Sequence, residues 1–209
     1  MDTNNLSPLK DSGERRQFDT GAVRDIQVGK GRCDLLPLDV IAEIVSEDSP
    51  AAADVLRQID KYLWTKDVSH LVEACMIFIE DFLHSSSASM MLELSIHYEQ
   101  GAMKYGERNW EKGIQTHSYI DSGVRHLLKC IRRDDDEPHF RAFLWNMAGA
   151  IWNEKHRPDL VDIPDFSQFT AKAEKPAEPN LTSPKFDEYL YQGCTTISSG
   201  DTTNISARC

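Results

Sequence analysis

Six stretches of the chain repeat apolar residues at intervals of three and four, and none sustains a period of two. Such spacing lines one face of a helix, and it leaves no run from which a large sheet could be built. The expected fold is therefore all-α, a bundle of five or six helices. The first pattern opens at Leu38 in "LDVIAEIVSE", with Val40, Ile41, Ile44 and Val45 on one side. The second has a clear start signal, Ser49 as N-cap and Pro50 in the first helical position, where an N–H has no partner anyway. "DVSHLVEACMIFIEDFLH" is apolar on most sides, which suits the centre of a bundle. The fourth pattern, over 88–105, carries an apolar stripe of Met91, Leu94, Tyr98, Ala102 and Tyr105. Beside it runs a polar stripe of Glu93, His97, Gln100 and Lys104. "SYIDSGVRHLLKCIRR" and "PHFRAFLWNMAGAIWNE" supply the fifth and sixth helices.

Residues 1–14 are polar and read as a flexible N-terminus. Residues 15–156 read as one helical domain that opens on a glycine-rich basic segment. Residues 157–209, rich in Pro, Lys, Glu, Ser and Thr, read as an extended or disordered tail. At 40% hydrophobic residues the chain has the means to build a core. Its cysteines, at 33, 75, 130, 194 and 209, form no CxxC pair, and the N-terminus has no leader-like apolar stretch. The pattern reads as free thiols in a reducing cytosol. No apolar run approaches the roughly 18 residues of a membrane span.

The formal charge of -11 argues against a duplex-DNA partner, which is met by a basic face. The charge is uneven, however. Residues 10–32 hold six Lys and Arg against four acids, and residues 100–133 hold seven against three. Two local basic segments in an acidic chain suit a compact anion better than a long polyanion. In "FDTGAVRDIQVGKGRCDLLP", Gly21, Gly29 and Gly31 let the backbone turn close to a ligand. Arg24, Lys30 and Arg32 supply charge-assisted donors for phosphates. GKG alone is weak evidence, and a tight turn with exposed cations explains it equally. Arg125, with His126 and Lys129, adds cations near the basic loop 104–112, although Asp121 and Arg125 at i,i+4 are also an ordinary surface ion pair.

Glu93 sits one turn from His97 and can hold a divalent ion or face water. Asp134, Asp135, Asp136 and Glu137 repel one another unless solvated or neutralised, and Mg²⁺ is one neutraliser. Helix capping accounts for at least two of the four. The polar stripe His139, Asn146 and Asn153 follows them.

Three ordered blocks, "GAVRDIQVGKGRCDLLP", "YEQGAMKYGERNWEKG" and "YIDSGVRHLLK", resemble a phage and prophage domain, the N-terminal domain of dATP/dGTP diphosphohydrolase. The resemblance spans residues 15–155. It implies cleavage of a purine deoxynucleoside triphosphate to monophosphate and pyrophosphate, in the host cytoplasm. It also implies similarity to MazG-like all-α pyrophosphatases, which bind Mg²⁺ through helical carboxylates. On that reading Tyr105 and Trp110 offer a flat face to a purine, and Asn109 pairs with its edge. Lys104, Arg108 and Lys112 join Arg24, Lys30, Arg32 and Arg125 on the phosphates. Mg²⁺ rests on Glu93, Asp135, Asp136 and Glu137, with Glu93 and Asp136 as the catalytic carboxylates. By analogy with such enzymes a homo-oligomer is expected. The alternative is a non-catalytic phage protein that sequesters a nucleotide signal of host defence. It needs the basic loops and no metal cluster.

Overall fold

In the computed structural model, residues 13–164 are described, and they form a helical bundle with a small β-ribbon laid on it. The expected tail therefore lies, from residue 165 onward, outside the described residues, as do residues 1–12. The helices are α1 (Leu38–Val45), α2 (Pro50–Thr65), α3 (Ser69–Ile77), α4 (Ser87–Tyr105), α5 (Thr116–Arg132) and α6 (His139–His156). Their number and order are those of the apolar periodicity.

Local chemistry explains several boundaries. Ser49 accepts the Ala52 N–H and Pro50 opens α2, as the sequence predicts. The helix closes on Lys66, whose φ of 60° ends it while its N–H still reaches the Tyr62 carbonyl. After α3 the chain runs through a π-helical turn, Phe78–Phe82, where Phe78 and Phe82 stack with centroids 5.2 Å apart. Ser86 caps α4 by accepting the Ser89 N–H.

The core runs through Leu56, Ile59, Tyr62, Leu71, Phe78 and Ile120, and on to Leu127, Phe143 and Met147, all fully buried. Helix α5 packs along α6, α2 lies between α1 and α3, and α4 rests on α6. The α5–α6 contact is close because position 149 has no side chain. A Cβ on Gly149 would stand 2.3 Å from the Tyr119 ring. The faces are not all as the periodicity suggests. Val40 and Ile44 of α1 are exposed, and Leu38 and Ala42 take the core positions. On α4, His97 and Gln100 of the polar stripe are buried, whereas Met91 and Leu92 face outward. Among the described residues no helix is long and apolar enough to cross a membrane.

The glycine-rich segment is ordered. Strand β1 (Arg15–Gln17) pairs antiparallel with β2 (Val23–Asp25), with Arg16 opposite Arg24. Three residues to a strand are too short to show a period of two. The intervening turn uses Gly21 at φ +84°, and Phe18 beneath it is buried. A 3₁₀ turn, Cys33–Leu35, then lies against α5. At the other end of the domain, residues 157–164 pack on the bundle past the expected boundary at 156. Leu160 is buried, Asp162 accepts the His117 N–H at 2.9 Å, and Lys66 reaches the Pro164 carbonyl at 2.8 Å.

Asp121 fastens the N-terminal segment to α5. Its carboxylate is fully buried, so it is not the surface partner that its i,i+4 spacing suggests. It accepts from the Cys33 N–H at 2.6 Å, from Gln27 Nε2 at 2.6 Å and from Arg125. Arg125 also donates to the carbonyls of Lys30 (3.2 Å) and Gly31 (3.0 Å). Removing one side of a buried ion pair strands the other, at a cost of about 3–5 kcal/mol. Asp121→Ala is expected to lose stability on that scale in urea unfolding, and hydrogen exchange over residues 23–36 is expected to rise more than over α2. A loss below about 1 kcal/mol would show that the segment is held by something else.

Candidate functional site

The N-terminal ribbon roofs a cavity of about 440 Å³ against α4, α5 and α6. Among the described residues six cations line it, Arg16, Arg24, Lys30, Lys104, Arg125 and Lys129, against two acids, Asp25 and Glu137. Arg24 projects from β2, and its guanidinium donates to the Ser118 carbonyl at 3.2 Å and Asn146 Oδ1 at 2.8 Å. The Tyr119 and Trp145 rings lie 5.4 and 5.2 Å from its Cζ. All these partners are neutral, and no described carboxylate lies within 4 Å. Burial pulls the Arg24 pKa below its ordinary value, against the opposing pull of Tyr119, Tyr105 and Asp121.

Lys30 similarly has no described carboxylate within 4 Å. Burial lowers its pKa, Asp25 opposes that, and Arg125 lowers it further. Asp25 balances the other side of the cavity. It accepts from Arg15 at 2.7 Å, Lys104 at 2.8 Å and the Tyr105 hydroxyl at 2.8 Å. Burial works against its ionisation, but the bonds from Lys104 and Tyr105 prevail and hold it below the usual carboxylate range. These pairs fix side chains at the cavity without cancelling the charge of Arg24 and Lys30.

A second hollow, of about 540 Å³, adjoins the first and shares Gly101, Tyr105, Asn109 and Trp145 with it. Its walls include Tyr98 and Trp110. Trp110 stands edge-on to Trp152 (5.1 Å) and Tyr98 (5.8 Å), which fixes its plane. Asn109 is buried, and both ends of its amide hold β2. Oδ1 accepts the Val23 N–H at 3.1 Å, and Nδ2 donates to the Val23 carbonyl at 2.8 Å. It therefore positions the ribbon, and its amide is not turned to a purine edge.

The expected phosphate ligands divide. Arg24, Lys30, Lys104 and Arg125 come together at the cavity, although residues 24 and 125 are a hundred apart in sequence. Arg32, Arg108 and Lys112 lie elsewhere. Arg32 chelates Asp34, exposed Arg108 pairs with Glu111 on the rim of the second hollow, and Lys112 is exposed. The expected carboxylate set divides too. Glu93 accepts from Arg141 Nε at 2.8 Å, an α4–α6 crosslink, and it belongs to neither group of convergent ligand atoms among the described residues. Those groups are His126–Glu137–His139 and Asp134–Asp136–His139, and Asp135 is in neither. Periodicity hides the histidines because residues 126 and 139 sit on different helices. They meet only when α5 and α6 pack.

Residues 76–163 match the model of a family described as dATP/dGTP diphosphohydrolase, N-terminal. The match covers α4 to α6 and leaves the glycine-rich block, which shares in the resemblance, outside it. Neither a curated protein nor a solved structure matches the chain.

His97 gives the cavity a measurable signature. It is buried against Trp145, its Nδ1 has no partner among the described residues, and burial, with Arg141 and Arg24 nearby, pushes its pKa down to about 4. A depressed folded pKa means that its contribution is fully present above the unfolded value near 6.5 and is lost as pH falls through about 4. Unfolding free energy is expected to drop between pH 7 and 4 by up to about 3 kcal/mol more in wild type than in His97→Gln. Parallel pH curves for the two proteins would show that His97 titrates normally.

Proposed function

We propose that the chain binds a nucleoside triphosphate across the two joined hollows and hydrolyses it to the monophosphate and pyrophosphate. One observation carries the reading. Arg24, half-buried at the cavity, is hydrogen-bonded among the described residues to neutral partners and forms no ion pair with a described acid, Asp121 acting on it only from a distance. A guanidinium taken out of water without a counter-ion is unfavourable, and a phosphate arriving in the cavity removes that deficit. Lys30 and Lys129 add charge beside it, and the aromatic hollow beyond Tyr105 offers Tyr98 and Trp110 to a base. The match over residues 76–163 favours dATP and dGTP as substrates.

Water would attack the α-phosphorus, the bond to the α–β bridging oxygen would break, and pyrophosphate would leave. Arg24, Lys30 and Arg125 stand where they can stabilise the charge that moves onto the leaving group. The proton of the attacking water would pass to solvent through the open side of the cavity. The divalent ion, Mg²⁺ in the sequence reading, would supply Lewis-acid polarisation of a phosphoryl oxygen. Glu93, expected to hold Mg²⁺, is occupied by Arg141, and the set that would hold a divalent ion at the cavity is Glu137 with His126 and His139, whose imidazoles suit a softer ion than Mg²⁺.

Arg24→Gln is expected to weaken nucleotide binding by about 1–3 kcal/mol, while Arg32→Ala and Arg108→Ala leave it within error. Turnover of a panel of ribo- and deoxynucleoside triphosphates, followed by pyrophosphate release with a divalent ion present, tests the chemistry. Tight binding with every ligand recovered intact would assign sequestration instead. Unchanged affinity in Arg24→Gln would reject the cavity.

A further inference from the structure

We propose that His126, Glu137 and His139 form a three-ligand site for a borderline transition-metal ion of the Zn²⁺ or Co²⁺ type, with Asp136 orienting His139. Three ligand atoms converge. His126 Nδ1 and His139 Nδ1 are 3.0 Å apart, and Glu137 Oε1 lies 3.6 and 3.4 Å from them. Tetrahedral ligands each about 2.1 Å from an ion stand about 3.4 Å from one another, so this triangle has the edges of a coordination shell.

The tautomers point the same way. His139 Nε2 faces Asp136 Oδ1 at 2.8 Å, and a carboxylate there takes an N–H, which leaves the Nδ1 lone pair for a metal. Carboxylate–histidine pairs of this kind are the usual outer support of metal-binding imidazoles. One proton shared between the rings serves two of the three electron-rich atoms, and a cation serves all three. The second group, with Asp134, is weaker because Arg132 chelates that carboxylate, with its Nε at 2.6 Å. Two nitrogens and one oxygen are also the wrong set for Mg²⁺, which prefers oxygen and water.

His126 and Glu137 line the same cavity as Arg24, Lys30 and Lys129, so an ion held by them would border it. Three protein ligands with an open side are the pattern of a catalytic rather than a structural metal. The role of the ion beside a phosphate rests on the triphosphate reading above, while its binding stands on the triangle alone.

The test uses the full chain, stripped with a chelator and titrated with Co²⁺. Calorimetry is expected to give one ion per chain, and the visible Co²⁺ spectrum is expected to show the intensity of a four- or five-coordinate site. Millimolar Mg²⁺ is expected to leave the spectrum unchanged. His126→Gln and Glu137→Gln, checked for folding by circular dichroism without metal, are expected to weaken binding by at least about a hundredfold. Asp136→Asn should weaken it by about 10–100-fold with the stoichiometry preserved. No Co²⁺ bound by wild type, equal binding in folded His126→Gln, or displacement by equimolar Mg²⁺ would each overturn the site. Co²⁺ bound as described without turnover of any nucleotide would sink the hydrolase reading and keep the metal site. Mg²⁺-dependent turnover undiminished in His126→Gln, with Co²⁺ binding lost in that variant, would keep both the hydrolase reading and the metal site and overturn the ion's role beside the phosphate.

Discussion

Asp121 is a fully buried carboxylate that receives three donors, two of them from a segment nearly ninety residues earlier in the chain. A charge in that position is tolerated only because Gln27, the Cys33 amide and Arg125 surround it. The cavity follows from that arrangement. Arg125 is turned to bind the carbonyls of Lys30 and Gly31, which holds Lys30 over the same hollow that Arg24 enters from the neighbouring strand. Asn109 makes the matching clamp at the other end of the ribbon, with both amide groups on Val23. Two buried polar side chains on the bundle thus convert a glycine-rich segment with little sheet-forming tendency into a fixed roof.

The electrostatics of the cavity depend on which cations are answered. Lys104 is tied to Asp25 and Arg125 to Asp121, so those two charges are oriented and partly neutralised. Arg24 and Lys30 are not, and Arg24 is stabilised by ring faces and carbonyl oxygens instead. Such an arrangement is costly, and an anion placed beside these two cations would relieve it. The histidine pair with Glu137 is its complement on the opposite sign. Lone pairs and a carboxylate converge beside the cations, and a metal between the two sets would join them through a phosphate.

The buried polar face of α4 shows where a helical stripe misleads. His97 and Gln100 fall on a line that reads as solvated, yet both are buried, and His97 lies against Trp145 with Arg141 and Arg24 nearby. Glu93, on the same stripe, becomes a crosslink to Arg141. Polarity marks the stripe as unlike the core, and only the neighbours decide whether water or protein meets it.

The sequence by itself determined an all-α bundle of five or six helices in order, with the α2 start written in Ser49 and Pro50, because periodicity and capping are local. It also marked Arg24, Lys30, Lys104 and Arg125 as members of locally basic segments, since charge density is visible without a fold. It could not separate them from Arg32, Arg108 and Lys112, because each nearby acid, Asp34 for Arg32 and Glu111 for Arg108, counts the same in a composition. Tertiary structure made that division and took Glu93 from the expected metal set. It also brought His126 to within 3.0 Å of His139 across the α5–α6 packing. The reason is geometric. A helix fixes which residues share a face, but the rotation and approach of two helices, here set by Gly149 against Tyr119 and by Asp121 under the ribbon, fix which faces meet.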